Sequence, residues 1–164
     1  MSTINQFLSS LDPNIEQGLI FLIQILLATF LGLILGTQRK MVEKAAGPRT
    51  YALVSFSSCL LALIGYDLFP NNIGVIAAIV TGIGFLGAGT ILHRDDRVQG
   101  LTTAAGLWVS ATIGIAVGTG FFFFSLVATI ISLLILSTDD RGFRSFNLRN
   151  ILGSNNNEKE KKDN

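Results

Sequence analysis

Four stretches of the chain hold no Asp, Glu, Lys or Arg: Gly18–Gly36, Ala52–Tyr66, Leu68–Leu92 and Val98–Thr138. A helix that crosses the hydrocarbon core of a bilayer needs about 20 predominantly apolar residues. The first and third stretches each have room for one crossing, as does the second once it is extended back to Thr50. The fourth is roughly twice that length and must fold back on itself, with Gly118-Thr119-Gly120 as the place for a tight turn. The pattern predicts an all-α, polytopic membrane protein with five transmembrane helices. They fall at about Glu16–Gly36, Thr50–Tyr66, Asn72–Leu92, Leu101–Thr119 and Phe121–Ser137.

Within those spans the small residues recur at helical spacing. Gln24, Ala28, Gly32 and Gly36 share a face of the first span, and Ser55, Ser58, Ala62 and Gly65 a face of the second. Thr103, Gly106, Ser110, Gly114 and Gly118 make a stripe on the fourth. In the third, Ala77, Ala78, Thr81, Gly82, Gly84, Ala88 and Gly89 collect on one half, and Ile76, Ile79, Val80, Ile83 and Leu86 on the other. Burying apolar surface gains little between helices in lipid, so close approach through small residues drives their packing. Spans one to four are therefore expected to pack through their small faces, with the branched half of the third towards lipid. The bulkier fifth span, which opens with Phe121 to Phe124, is expected at the periphery.

Charge sets the orientation. All twelve Lys and Arg lie in Arg39–Arg49, Arg94–Arg97 or from Arg141 onward. With the N-terminus outside and the C-terminus cytoplasmic, every one of them is inside, and the external segments carry only Asp12, Glu16 and Asp67. That arrangement obeys the positive-inside rule throughout. Nothing basic precedes the first span, which reads as an anchor rather than a cleaved signal. Residues 1–15 form a short external lead with a turn at Asp12-Pro13-Asn14, and Asp67–Asn72 an external loop. Residues 1–137 make the transmembrane domain, and 138–164 a cytoplasmic tail whose polar end, Gly153–Asn164, is expected to be disordered. The lone Cys59, in mid-span, reads as a small buried side chain.

Candidate chemistry is sparse. Gly82-Ile83-Gly84-Phe85-Leu86-Gly87 matches the dinucleotide GxGxxG pattern, but it lies in an apolar span with no strand-turn-helix context. Arg49 follows Gly47-Pro48 at the head of the second span; it can pair with a carboxylate or phosphate oxygen, or snorkel to lipid headgroups. Asp95 and Asp96 could contribute to a Mg²⁺ site, although pairing with Arg39 or Arg49 is favoured with His93, Arg94 and Arg97 alongside. The spans hold only neutral polar groups, whereas ion carriers usually place a carboxylate near the midplane. No resident cofactor, nucleic-acid partner or catalytic constellation is indicated, and an enzyme is not expected.

Several segments together resemble the MgtC/SapB family of bacterial inner-membrane proteins: Gly36-Thr37-Gln38-Arg39, Ala46-Gly47-Pro48-Arg49-Thr50, the glycine block Thr81–Gly89, and Gly100-Leu101-Thr102-Thr103-Ala104-Ala105-Gly106-Leu107-Trp108. The chain departs from the family pattern at Gln38, where Glu is usual, and at Pro48, where Leu is usual. Missing Glu removes a possible partner for Arg49. The chain is also expected to lack the folded cytoplasmic domain of the best-known members. The resemblance implies a role in magnesium homeostasis, in some members through restraint of the membrane ATP synthase by protein contact. From it we expect a regulator that touches another membrane protein or a second copy of itself. Transport of Mg²⁺ or another small solute is the alternative. Arg39, Arg49, Gly84, Gly87, Gly89, Thr102 and Thr103 are the positions where substitution should matter most.

Overall fold

The computed structural model describes residues 13–41, 44–69, 73–94 and 97–138, with backbone alone at 13, 14, 93, 94 and 97. These residues form five helices and one small hairpin: α1 (Pro13–Met41), α2 (Pro48–Leu68), α3 (Gly74–Ala88), β1 (Leu92–Arg94), β2 (Arg97–Gln99), α4 (Leu101–Gly118) and α5 (Phe122–Thr138). Local sequence sets the boundaries. Pro48 opens α2 at the first helical position, where its missing N–H would have no intrahelical partner anyway. Gly120, at φ +84°, turns the chain between α4 and α5, within the expected Gly-Thr-Gly segment. Gly100, at φ +93°, links β2 to α4; a side chain there would be strained and would also strike the Thr90 carbonyl.

The centre of the molecule is a trio of α1, α2 and α4, in contact almost backbone to backbone. A Cβ on Gly36 would collide with Pro48, and one on Gly114 with the Ser55 carbonyl. One on Gly32 would lie 2.7 Å from the Tyr51 carbonyl oxygen. At that separation short side chains can bridge helices. The Ser55 hydroxyl donates to the Ala28 carbonyl at 2.7 Å, the Ser110 hydroxyl to Tyr51 O at 2.8 Å, and Gln24 Nε2 to Val117 O at 2.9 Å. The three bonds run from α2 to α1, from α4 to α2 and from α1 to α4, which closes a ring. Leu35, Tyr51, Leu107, Ile113 and Val117 fill the space between them and are fully buried. The small faces read from the sequence on these three helices are the buried faces.

The third helix differs from expectation in two respects. It ends at Ala88 rather than near Leu92, because Gly89 and Thr90 turn the chain: Thr90 N–H and its hydroxyl both bond to the Gly87 carbonyl. The charged loop beyond forms an antiparallel hairpin that pairs Leu92 with Gln99 and His93 with Val98. More consequentially, α3 is turned the other way. Ile79 and Gly87 are buried, and Ile76, Val80 and Ile83 half-buried, while Ala77, Thr81, Gly84 and Ala88 face outwards; Ala78, Gly82 and Leu86 are exposed along an open groove towards α2. Steric fit explains the reversal. The hole is on α2, where a Cβ on Gly65 would come 2.5 Å from a Val75 methyl. Val75, a branched knob on α3, fills it, so large meets small at the contact with α2.

Three helices, Ile15–Met41 within α1, Pro48–Leu68 and Leu101–Gly118, are long and apolar enough to cross a membrane. Helices α3 and α5 are apolar but shorter, at about 22 and 26 Å by the helical rise of 1.5 Å per residue. The first helix begins at Pro13, so residues 13–15 of the expected external lead, including Pro13 and Asn14 of its turn, are helical; residues 1–12, residues 70–72 of the expected external loop, and the tail from 139 onward lie outside the described residues.

Gly114→Ala should destabilise the purified chain by about 1–3 kcal/mol, the typical penalty for overpacking. Gly84→Ala, at a site with nothing within 4 Å, should be neutral or gain up to about 1 kcal/mol from helix propensity. Thermal denaturation of both variants in the same detergent decides this. Equal losses would contradict the packing described.

Candidate functional site

Successive helices alternate in direction, so one end of the bundle collects the C-terminal ends of α1, α3 and α5 and the N-terminal ends of α2 and α4. Arg39, Lys40, Lys44 and Arg49 lie at this end, as do the hairpin positions 94 and 97. At the opposite end Gln17 Nε2 donates to Asp67 Oδ1 at 3.3 Å, with Glu16 beside it in sequence. The described charges are thus sorted by sign between the two ends.

The two arginines at the cationic end are used differently. Arg39, in the last turn of α1, is fully buried. Its Nη2 donates to the Leu136 carbonyl and its Nε to Gln38 Oε1, both at 2.8 Å. Leu136 lies in the final turn of α5, whose carbonyls have no intrahelical donor and carry the negative end of the helix dipole. The guanidinium therefore ties the C-terminal end of α5 to the last turn of α1, and the neutral Gln38 orients it.

Arg49 is exposed and forms no hydrogen bond or ion pair with any described residue. It sits at the mouth of an apolar groove of about 610 Å³ between α2 and α3, walled by Leu53 and Leu61 on one side and by Ile79, Gly82 and Leu86 on the other. The groove opens because α3 meets α2 at Gly65, where Val75 packs, but lies mainly along α4, where the distance from a Cβ on Gly87 to Ala104 would be 3.6 Å.

The sequence candidates are not brought into one cluster. Gly84 faces outwards, Gly87 packs on α4, and Gly89 lies in the turn after α3. Thr103 is buried in the trio; Thr102 is half-buried beside a small cavity lined by Leu35, Val109, Ser132 and Leu136. The GxGxxG segment is continuous helix within α3. Cys59 is a buried free thiol in α2. Asp95 and Asp96 lie outside the described residues, and no group of three His, Cys, Asp or Glu that could hold a metal occurs among the described ones.

Tyr51 was not singled out in the sequence, yet it is fully buried. Its carbonyl takes the Ser110 bond, and its ring fills the space a side chain on Gly106 would occupy. The four-residue step from Tyr51 to Ser55, onto the small face of α2, was the available signal.

A family model described as the MgtC family matches residues 25–142. An uncharacterized protein of Haemophilus influenzae is 40% identical over 128 residues, which cover 71% of this chain and 54% of that protein. Protein MgtC of Salmonella typhimurium (strain LT2) is 45% identical over 114 residues, 69% of this chain and 49% of the relative. The Escherichia coli (strain K12) protein named "Putative magnesium transporter YhiD" is 36% identical over 126 residues, 71% and 59%. The chain spans about half the length of the curated relatives it matches. No solved structure matches it.

Arg39→Met should lower stability by about 1–3 kcal/mol, because the Leu136 carbonyl and the Gln38 side chain lose a buried donor. Arg49→Met should leave it within about 0.5 kcal/mol, as for most exposed positions. Unfolding of both purified variants tests the division of labour; a larger loss at Arg49 would reverse the assignment.

Proposed function

This chain belongs to the MgtC family, and from that premise we propose a regulatory role in magnesium homeostasis, exercised by contact with another membrane protein. In this account the chain crosses the bacterial inner membrane five times, with its N-terminus outside and its cationic end in the cytoplasm. The positive-inside rule supports that orientation, and the sorting of charge between the two ends agrees with it. Helices α3 and α5, short for a full span, can cross where the bilayer thins or flanking residues snorkel.

The outward face of α3 carries the proposal. Ala77, Thr81, Gly84 and Ala88 follow helical spacing along it, Gly84 has open space where a side chain would be, and the adjacent Phe85 is 86% exposed. Small residues at such spacing let a second helix approach closely in lipid. Phe85 supplies an aromatic anchor of the kind enriched at binding hot spots. The membrane ATP synthase, implied by the family resemblance, is one partner of suitable kind.

Transport of Mg²⁺ is the competing function, carried by the name of the Escherichia coli relative. The buried polar side chains of the trio weigh against it. Gln24, Ser55 and Ser110 are engaged on backbone carbonyls, no carboxylate is buried among the described residues, and Arg39 would repel a cation at one end.

Deleting the gene and restoring it as Gly84→Leu separates the two functions. The variant should fold and insert normally, lose crosslinks from a photoreactive group placed at Ala88, and fail to restore growth at low external magnesium. Full restoration by Gly84→Leu would contradict the contact reading. Saturable Mg²⁺ flux into vesicles holding the purified chain would replace it with transport.

A further inference from the structure

The groove between α2 and α3 has a composition and shape that the contact face on α3 does not use. We propose that it is a binding site for an anionic phospholipid: one acyl chain lies between the two helices, and the phosphate pairs with Arg49.

Three observations carry this. First, the groove is apolar and runs from Arg49 to Leu61 along α2, about 18 Å by the helical rise. That is close to the depth of one leaflet's hydrocarbon, about 15 Å. Second, aliphatic side chains line it on both helices, Leu53 and Leu61 from α2 and Ile79, Ile83 and Leu86 from α3. A flexible hydrocarbon chain can follow such a lining. Third, the charge is complementary. Arg49 is exposed at the mouth, forms no bond with any described residue, and belongs to the end where Arg39, Lys40 and Lys44 also lie. A guanidinium fork matches a phosphate by two parallel hydrogen bonds. Basic pockets between membrane helices bind anionic headgroups for this reason. Left empty, the groove would forfeit dispersion contacts along Leu53, Leu61 and Ile79; an acyl chain supplies them. Lipid there would also wedge α3 against α4 in the orientation described.

The test uses the full chain purified in detergent and exchanged with equal amounts of phosphatidylglycerol and phosphatidylcholine of identical palmitoyl-oleoyl chains, with retained lipid counted by native mass spectrometry. Wild type should hold one phosphatidylglycerol with about fivefold preference, the factor that about 1 kcal/mol per basic group corresponds to. Arg49→Gln should fall to near parity while still retaining lipid. Ala78→Phe/Gly82→Phe should fill the groove and retain neither lipid. Both positions are exposed, and Gly82 has nothing within 4 Å, so the double variant should unfold at the wild-type temperature.

Parity in wild type, or an undiminished preference in Arg49→Gln, would overturn the headgroup assignment. Lipid retention unchanged by the filled groove would overturn the chain's placement. A wild-type dimer that only the double variant abolishes, with no lipid lost, would assign the groove to a second copy and overturn the proposal. None of these outcomes depends on whether the α3 face contacts a protein partner, which the growth and crosslinking experiment reads separately.

Discussion

A serine hydroxyl reaches a carbonyl on a neighbouring helix only where the two backbones nearly touch. That constraint organises this molecule. Ser55, Ser110 and Gln24 each donate to a carbonyl of a different helix of the trio, and Gly32, Gly36 and Gly114 provide the approach that makes these bonds possible. Interhelical hydrogen bonds in membranes average only about 0.6 kcal/mol, so the ring contributes register more than strength. Strength comes from the dense contact around it. The bonds fix which residue of one helix faces which residue of the next, and the glycines leave no room for a side chain where the backbones meet.

With α1, α2 and α4 locked together, the remaining helices attach by different means. Helix α5 is tied at its C-terminal end by Arg39, a buried cation that donates to the Leu136 carbonyl there. Helix α3 packs along α4, meets α2 at Gly65 and leaves a groove between itself and the rest of α2. A rigid trio with one loosely seated helix places adaptable surface on α3 without loosening the core. Low local contact density is where binding elements are commonly found, and both the outward small face and the groove lie on this helix.

Much of this was legible in the chain. The small stripes on α1, α2 and α4 identified the buried faces, because Gly, Ala and Ser at helical spacing have little other use in a span. Pro48 and Gly120 marked boundaries by their backbone requirements. The orientation of α3 was not legible. A small-residue stripe can receive a neighbour's bulk or meet another small face, and the deciding cavity at Gly65 belongs to a different helix. Nor could the task of Arg39 be read, since its partner is the carbonyl of Leu136 and every residue has a carbonyl. The hairpin escaped notice because three-residue strands are too short to show alternation, and Arg49 was narrowed only to pairing or snorkelling until the groove beneath it was in view.

The reversed seating of α3 is the feature on which the outward face and the groove both depend, and it can be measured directly. Single cysteines at positions 77, 79, 81, 83 and 84, in a chain carrying Cys59→Ala, would be timed for modification by an uncharged maleimide in dilute detergent. The account predicts fast reaction at 77, 81 and 84 and protection at 79 and 83. Protection at 77, 81 and 84 with fast reaction at 79 and 83 would mean that the glycine face is the packed one, and the account would fail.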